Sequence, residues 1–102
     1  MKVLDPLRRE IDAVDDRIVE LLAVRQSIVR RVAAVKHAND IPVVLGDRIG
    51  EVKDRNAAHG VGEGLDPDYV RRVFEVIIDE ACALERRMGA AGPGQGGEKT
   101  DT

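Results

Sequence analysis

Aromatic side chains are almost missing from this sequence. They make up 2% of its 102 residues, and tryptophan is absent. A core without rings must be built from Leu, Val, Ile and Ala, which suits helix-on-helix packing. There is a single cysteine, Cys82, so no intrachain disulfide can form, and a reducing compartment fits. Positive charge is not in excess: 16 basic residues face 19 acidic ones, for a formal net charge of −3. That balance argues against general nucleic-acid binding and leaves no polybasic membrane patch. No basic-then-apolar leader opens the sequence, and no apolar run approaches a membrane span, so a soluble cytoplasmic protein is expected. His37 and His59 lack metal-ligand spacing. There is no nucleophile–base motif and no glycine-rich phosphate loop, so neither a metal nor a cofactor is expected.

The length points to one domain, small enough that a monomer would bury only a modest core. The residues present read as three helices. Asp5-Pro6 is an acidic N-cap followed by proline at the first helical position. Leu7, Ile11, Val14, Ile18, Leu21, Ile28, Val32 and Val35 then recur at helical spacing to about His37, before Asn39, Asp40 and Pro42 stop the pattern. More than 30 residues make roughly 50 Å of helix, against a radius of gyration of about 13 Å for a compact 100-residue globule. The near-heptad spacing asks for a partner helix, most simply a second copy of the chain. A second helix is expected from Gly46-Asp47 to Ala58, followed by a glycine-rich turn, "HGVGEG". Asp66-Pro67 repeats the opening signal. Val70, Val73, Phe74, Ile77, Ala81, Leu84 and Met88 then form the stripe of a third helix. The expectation is an all-α protein with one helical domain over 1–88 and a disordered tail over 89–102.

Two cations are out of place. Arg25 and Lys36 lie 11 residues apart, three turns on one face, in the apolar row of the first helix. From pattern alone, snorkelling at the edge of the stripe is the more ordinary reading. The other is an anionic ligand held inside a helical bundle. Arg8 stands about 100° round the helix from Arg25, so it joins Arg25 more easily from an antiparallel partner than within one straight helix. Arg48 lies near the start of the second helix, where anions are already favoured, and an arginine there can add a bidentate carboxylate contact. Glu85 sits at the margin of the third stripe, and Cys82 reads as a small core residue. Cations without a nucleophile still suit a unimolecular rearrangement, which needs a compact conformer and donors aimed at developing charge.

Three stretches, "LRREIDAVDDRIVELLAVRQSIVRRVAAVK", "IPVVLGDRIGEVKDR" and "GLDPDYVRRVFEVIIDEACALE", resemble the all-helical (AroQ) class of chorismate mutases. The match spans about residues 5–88: the LRxxID opening with its Arg25–Lys36 pair, the proline-containing connector and the LDxxYVxxxFxxII phrase. The resemblance implies an intertwined homodimer of three-helix protomers acting on a small dicarboxylate, without a cofactor, a nucleic acid or a membrane as partner. By position, Arg8 of one protomer and Arg25 of the other bind substrate carboxylates, Arg48 lines the pocket, and Lys36 donates to the ether oxygen of the enolpyruvyl group.

Four positions depart from the family pattern. Leu45 stands where an acidic or amide residue usually accepts the substrate's C4 hydroxyl. Ile49 replaces a glutamate, Ala81 a serine or threonine, and Glu85 a glutamine. Glu85 is assigned a catalytic role as a protonated second donor to the ether oxygen. The runs "DRIGEVKDRNA" and "VIIDEACALE" look most like the 4-amino-4-deoxychorismate mutases, with Glu85 or Asp47 as the acid available to an ammonium at C4. The expected activity is therefore rearrangement of 4-amino-4-deoxychorismate, as in antibiotic biosynthesis. The alternatives are chorismate mutase, isochorismate pyruvate-lyase and a non-catalytic helical binding module.

Overall fold

The structure, a computed structural model, describes residues 1–90. Among them are three helices and no strand: α1 (Asp5–Ala38), α2 (Gly46–Gly62) and α3 (Pro67–Ala90). The expected order and class are found, and the differences lie at the ends. Asp5 is the first helical residue and not the cap, since the cap position is Leu4 and no side chain bonds there. The Asp5 carboxylate still lies in the first turn, at the positive end of the helix dipole. At α3 the expected cap is present: the Asp68 N–H donates to Asp66 Oδ1 at 2.9 Å. The third helix continues through Gly89 to Ala90, two residues into the segment expected to be a disordered tail. The rest of that segment, 91–102, lies outside the described residues.

The largest correction concerns "HGVGEG". Residues 59–62 are helical, so α2 runs four residues past Ala58. Gly60 is there for packing: a Cβ at this position would lie 2.6 Å from Val70 Cγ2, so only glycine lets α2 approach α3 so closely. The turn itself is made by Gly64, at φ 82°, with Leu65 N–H returning to Gly60 O at 2.8 Å. The end of α1 closes in the same way. Asp40 takes the left-handed conformation at φ 56°, and Ile41 N–H returns to Lys36 O at 2.8 Å. Both are Schellman closures, one using glycine and one an aspartate that tolerates positive φ.

α3 packs against both α2 and α1. Among the described residues the buried core is thin and aliphatic: Ala33, Ala57, Val70, Ile78, Ala81 and Leu84, with Glu85 as the one buried charged residue. Ile78 takes an inward place that the sequence reading assigned to Val73, which is exposed. Among the described residues no large side chain is fully buried. The shape is long, 58 × 31 × 15 Å, with a radius of gyration of 17.9 Å. Its apolar stripe on α1 is largely uncovered: Ile11 is 58% exposed and Leu21 62%. No helix among the described residues is long and apolar enough to cross a membrane.

Candidate active site

Helical spacing assembles one cavity of about 430 Å³ where the three helices meet the connector 39–45. From α1, Arg25, Val29, Val32 and Lys36 face it at i, i+4, i+7 and i+11. From α3, Ile78, Ala81, Cys82 and Glu85 do so over two turns. Arg48, Ile49 and Val52 enter from the first turns of α2, with Val43 and Leu45 from the connector. Seven of the eight residues singled out from sequence thus line a single cavity: Arg25, Lys36, Leu45, Arg48, Ile49, Ala81 and Glu85.

Arg8 does not. It lies on an exposed stretch of α1, 17 residues and about 25 Å of helix from Arg25, too far to serve its own protomer's cavity. Asp47 is also outside the wall.

At the closed end the Lys36 ammonium is held from two sides. It donates to the Val43 carbonyl at 2.7 Å and lies 2.9 Å from Glu85 Oε1. Both side chains are largely buried, and Glu85 is only 7% exposed. The Glu85 contact is an ion pair without the alignment of a hydrogen bond, since Oε1 has no partner of good geometry. An ammonium has three N–H donors. With one directed at Val43 and the pair with Glu85 unaligned, at least one is left for a group entering the cavity.

The rest of the wall is unevenly charged. Arg25 is half-buried and has no ion pair among the described residues. Arg48 lies 3.6 Å from Glu51, both two-thirds exposed, a contact too wet and too long to compete with a bound carboxylate. Three cations against one carboxylate, set among valine, leucine and isoleucine, favour a ligand that carries negative charge and an apolar body.

Sequence reasoning missed several wall residues. Cys82, read as core, is half-exposed toward the cavity, and its place one residue after Ala81 and three before Glu85 was a usable signal. Val29 and Val32 follow from Arg25 by the same spacing. Val43 gave no signal, because its part is played by a backbone carbonyl whose direction depends on the Schellman closure at Asp40.

Comparison with known proteins adds an independent line. The family model described as chorismate mutase type II matches residues 7–86. The chain is 32% identical over 89 residues to a 4-amino-4-deoxychorismate mutase of Streptomyces pristinaespiralis, covering 87% of this chain and 69% of that protein. It is 33% identical over 82 residues to a protein of the same description from Streptomyces venezuelae, covering 80% of each. It is 27% identical over 84 residues to a chorismate mutase of Methanocaldococcus jannaschii, covering 82% of this chain and 85% of that protein.

Proposed function

The chain belongs to the chorismate mutase type II family, and from that premise we propose that its cavity binds 4-amino-4-deoxychorismate and rearranges it to 4-amino-4-deoxyprephenate. The observation that carries this reading is one wall holding Arg25, Lys36 and Arg48 together with Leu45 and Ile49, where polar groups would otherwise serve a hydroxyl. Relatives of the same substrate description from two Streptomyces species support it.

The reaction is intramolecular. The ether C–O bond of the enolpyruvyl group breaks while its methylene carbon bonds to the ring, and no atom enters or leaves. The protein has two tasks, to hold the folded conformer and to stabilise charge on the departing ether oxygen. Arg25 and Arg48 hold carboxylates. Lys36, fixed by the Val43 carbonyl and Glu85, presents its remaining N–H to the ether oxygen. Ala81 gives van der Waals contact only. Arg8 completes the site from a second protomer, whose α1 lies along the exposed stripe of the first in an intertwined homodimer.

Specificity is decided at C4. Both substrates share two carboxylates and the ether, so the cations cannot tell them apart. A hydroxyl between Leu45 and Ile49 finds no acceptor on those two side chains, and left unpaired it costs about 1–3 kcal/mol, or up to roughly 150-fold in rate constant. An ammonium at C4 gains more than a hydroxyl from Glu85, the one acidic residue in the wall, because its hydrogen bond to a carboxylate is charge-assisted.

Rearrangement of chorismate itself is the second reading, supported by the likeness to the archaeal chorismate mutase. Side-by-side kcat/KM values for 4-amino-4-deoxychorismate, chorismate and isochorismate test the proposal, and the amino compound is expected to lead. A value for chorismate equal or higher would overturn the order. Pyruvate release from isochorismate would indicate a lyase, and no turnover of any of the three a binding module.

A further inference from the structure

A second opening of about 370 Å³ lies beside the main cavity. The two share Arg25, Arg48 and Val52, and the remaining wall of the second is Arg55, Asn56 and Phe74. Arg48 and Arg55 are seven residues apart on α2, two turns on one face, so the row of cations continues from the cavity toward solvent, where Arg55 is exposed. The acids nearest in sequence face other arginines than Arg55. Asp54 Oδ1 lies 3.3 Å from Arg71 on α3, and Glu51 faces Arg48 at 3.6 Å. Arg55 has no ion pair among the described residues, and no acidic side chain lines this opening. Asn56 is fastened by its Nδ2 donating to Val52 O at 2.8 Å, and Phe74 supplies an apolar wall.

We propose that Arg55, with Arg48, Asn56 and Phe74, forms an outer carboxylate subsite that captures a ring-bearing dicarboxylate before it seats against Arg25 and Lys36. This rests on the reading of the main cavity as a site for a chorismate-type dianion. Two carboxylates are already matched by the cations of the inner wall. A further unpaired cation on the solvent side therefore acts on approach, raising the local concentration of the anion at the mouth.

Steady-state kinetics of the full chain with 4-amino-4-deoxychorismate and chorismate, for wild type, Arg55→Gln, Arg55→Lys and Arg72→Gln, give the test. Arg55→Gln should lower kcat/KM roughly 3- to 10-fold at about 0.01 M salt, with most of the loss in KM. The deficit should nearly vanish at about 1 M salt, as the screening length falls from about 30 Å to about 3 Å. Arg55→Lys should keep most of the efficiency. Arg72→Gln, which removes an exposed cation of α3 outside both openings, controls for net charge. A loss in kcat that salt does not alter, or no loss at low salt, would overturn the subsite.

Amide shifts on titrating isophthalate give a readout independent of turnover. They are expected at Arg55, Asn56 and Phe74 in the wild type and not in Arg55→Gln. Shifts there without turnover of either substrate would keep the subsite and remove the proposed activity. Turnover with no shift at those three residues would do the reverse, including the case in which a partner's helix fills the opening.

Discussion

The two halves of α1 carry the same pattern and meet different fates. Over residues 6–24 every side chain is exposed, although Leu7, Ile11, Val14, Ile18 and Leu21 keep helical spacing. Over 25–38 the same row continues, but α3 lies opposite: Ala33 is buried, and Arg25, Val29 and Lys36 are partly covered and line the cavity. Periodicity announces that a face will be covered without naming what covers it. The lower half finds its cover within the protomer. The upper half is an arm reaching past it, and Arg8 sits on the arm.

The contrast is sharpest where chemistry is assigned to one half only. Lys36→Ala should lower kcat by about 10²–10³-fold, the usual cost of removing one donor to a developing oxyanion. Single-turnover rates check this, and an unchanged kcat would take Lys36 out of the mechanism.

The arm is tested at Ile11, whose exposure within the protomer gives no reason for a substitution to matter. Ile11→Asp should nevertheless weaken self-association by about 3 kcal/mol, or roughly 100-fold, as a charge enters an interface. Sedimentation equilibrium reads this directly. A wild type that sediments as a monomer would break the contrast, since the arm would then have no cover at all.

Arg8 and Arg25 join the halves. Chains carrying Arg8→Ala or Arg25→Ala alone should be nearly inactive. Mixed and allowed to exchange, they should regain roughly a quarter of wild-type activity, because each hybrid dimer contains one intact site. No recovery on mixing would place Arg8 outside the site.

The smallest expected effect is at Glu85. Glu85→Gln keeps the shape of the side chain and removes the negative charge 2.9 Å from Lys36 Nζ, so kcat should fall by about 10-fold or less, well short of the loss in Lys36→Ala. Steady-state kinetics check this, and an unchanged kcat would favour Glu85 as a donor to the ether oxygen, a role that the glutamine amide can take over.

The sequence made most of this legible because helices project side chains at fixed intervals. Arg25 and Lys36 can be put on one face by counting, while the places of Arg48, Ile49, Ala81 and Glu85 in the wall follow from the resemblance to the chorismate mutases. Position along the cavity was harder. Leu45 and Val43 sit on a connector without a period, and the hold on Lys36 comes from a main-chain carbonyl. The end of α2 is hidden in the sequence for a related reason. Gly60 and Gly62 have the composition of a turn, while their conformation is set by a helix that needs no side chain where Val70 presses against it. A glycine that frees the backbone and one that clears space for a neighbour look the same in a sequence.

The pairing of α1 with α3 also bears on synthesis. A ribosome makes α1 first and α3 last, with 28 residues between Ala38 and Pro67. At about 5–20 residues per second, the finished stripe of α1 waits for seconds before the helix that shields its lower half has been made. In the proposed homodimer the upper half waits longer, until another chain arrives. Were that dimer to form, neighbouring nascent chains on one message would offer such arms to each other at high local concentration, and assembly would begin on the polysome, ahead of release.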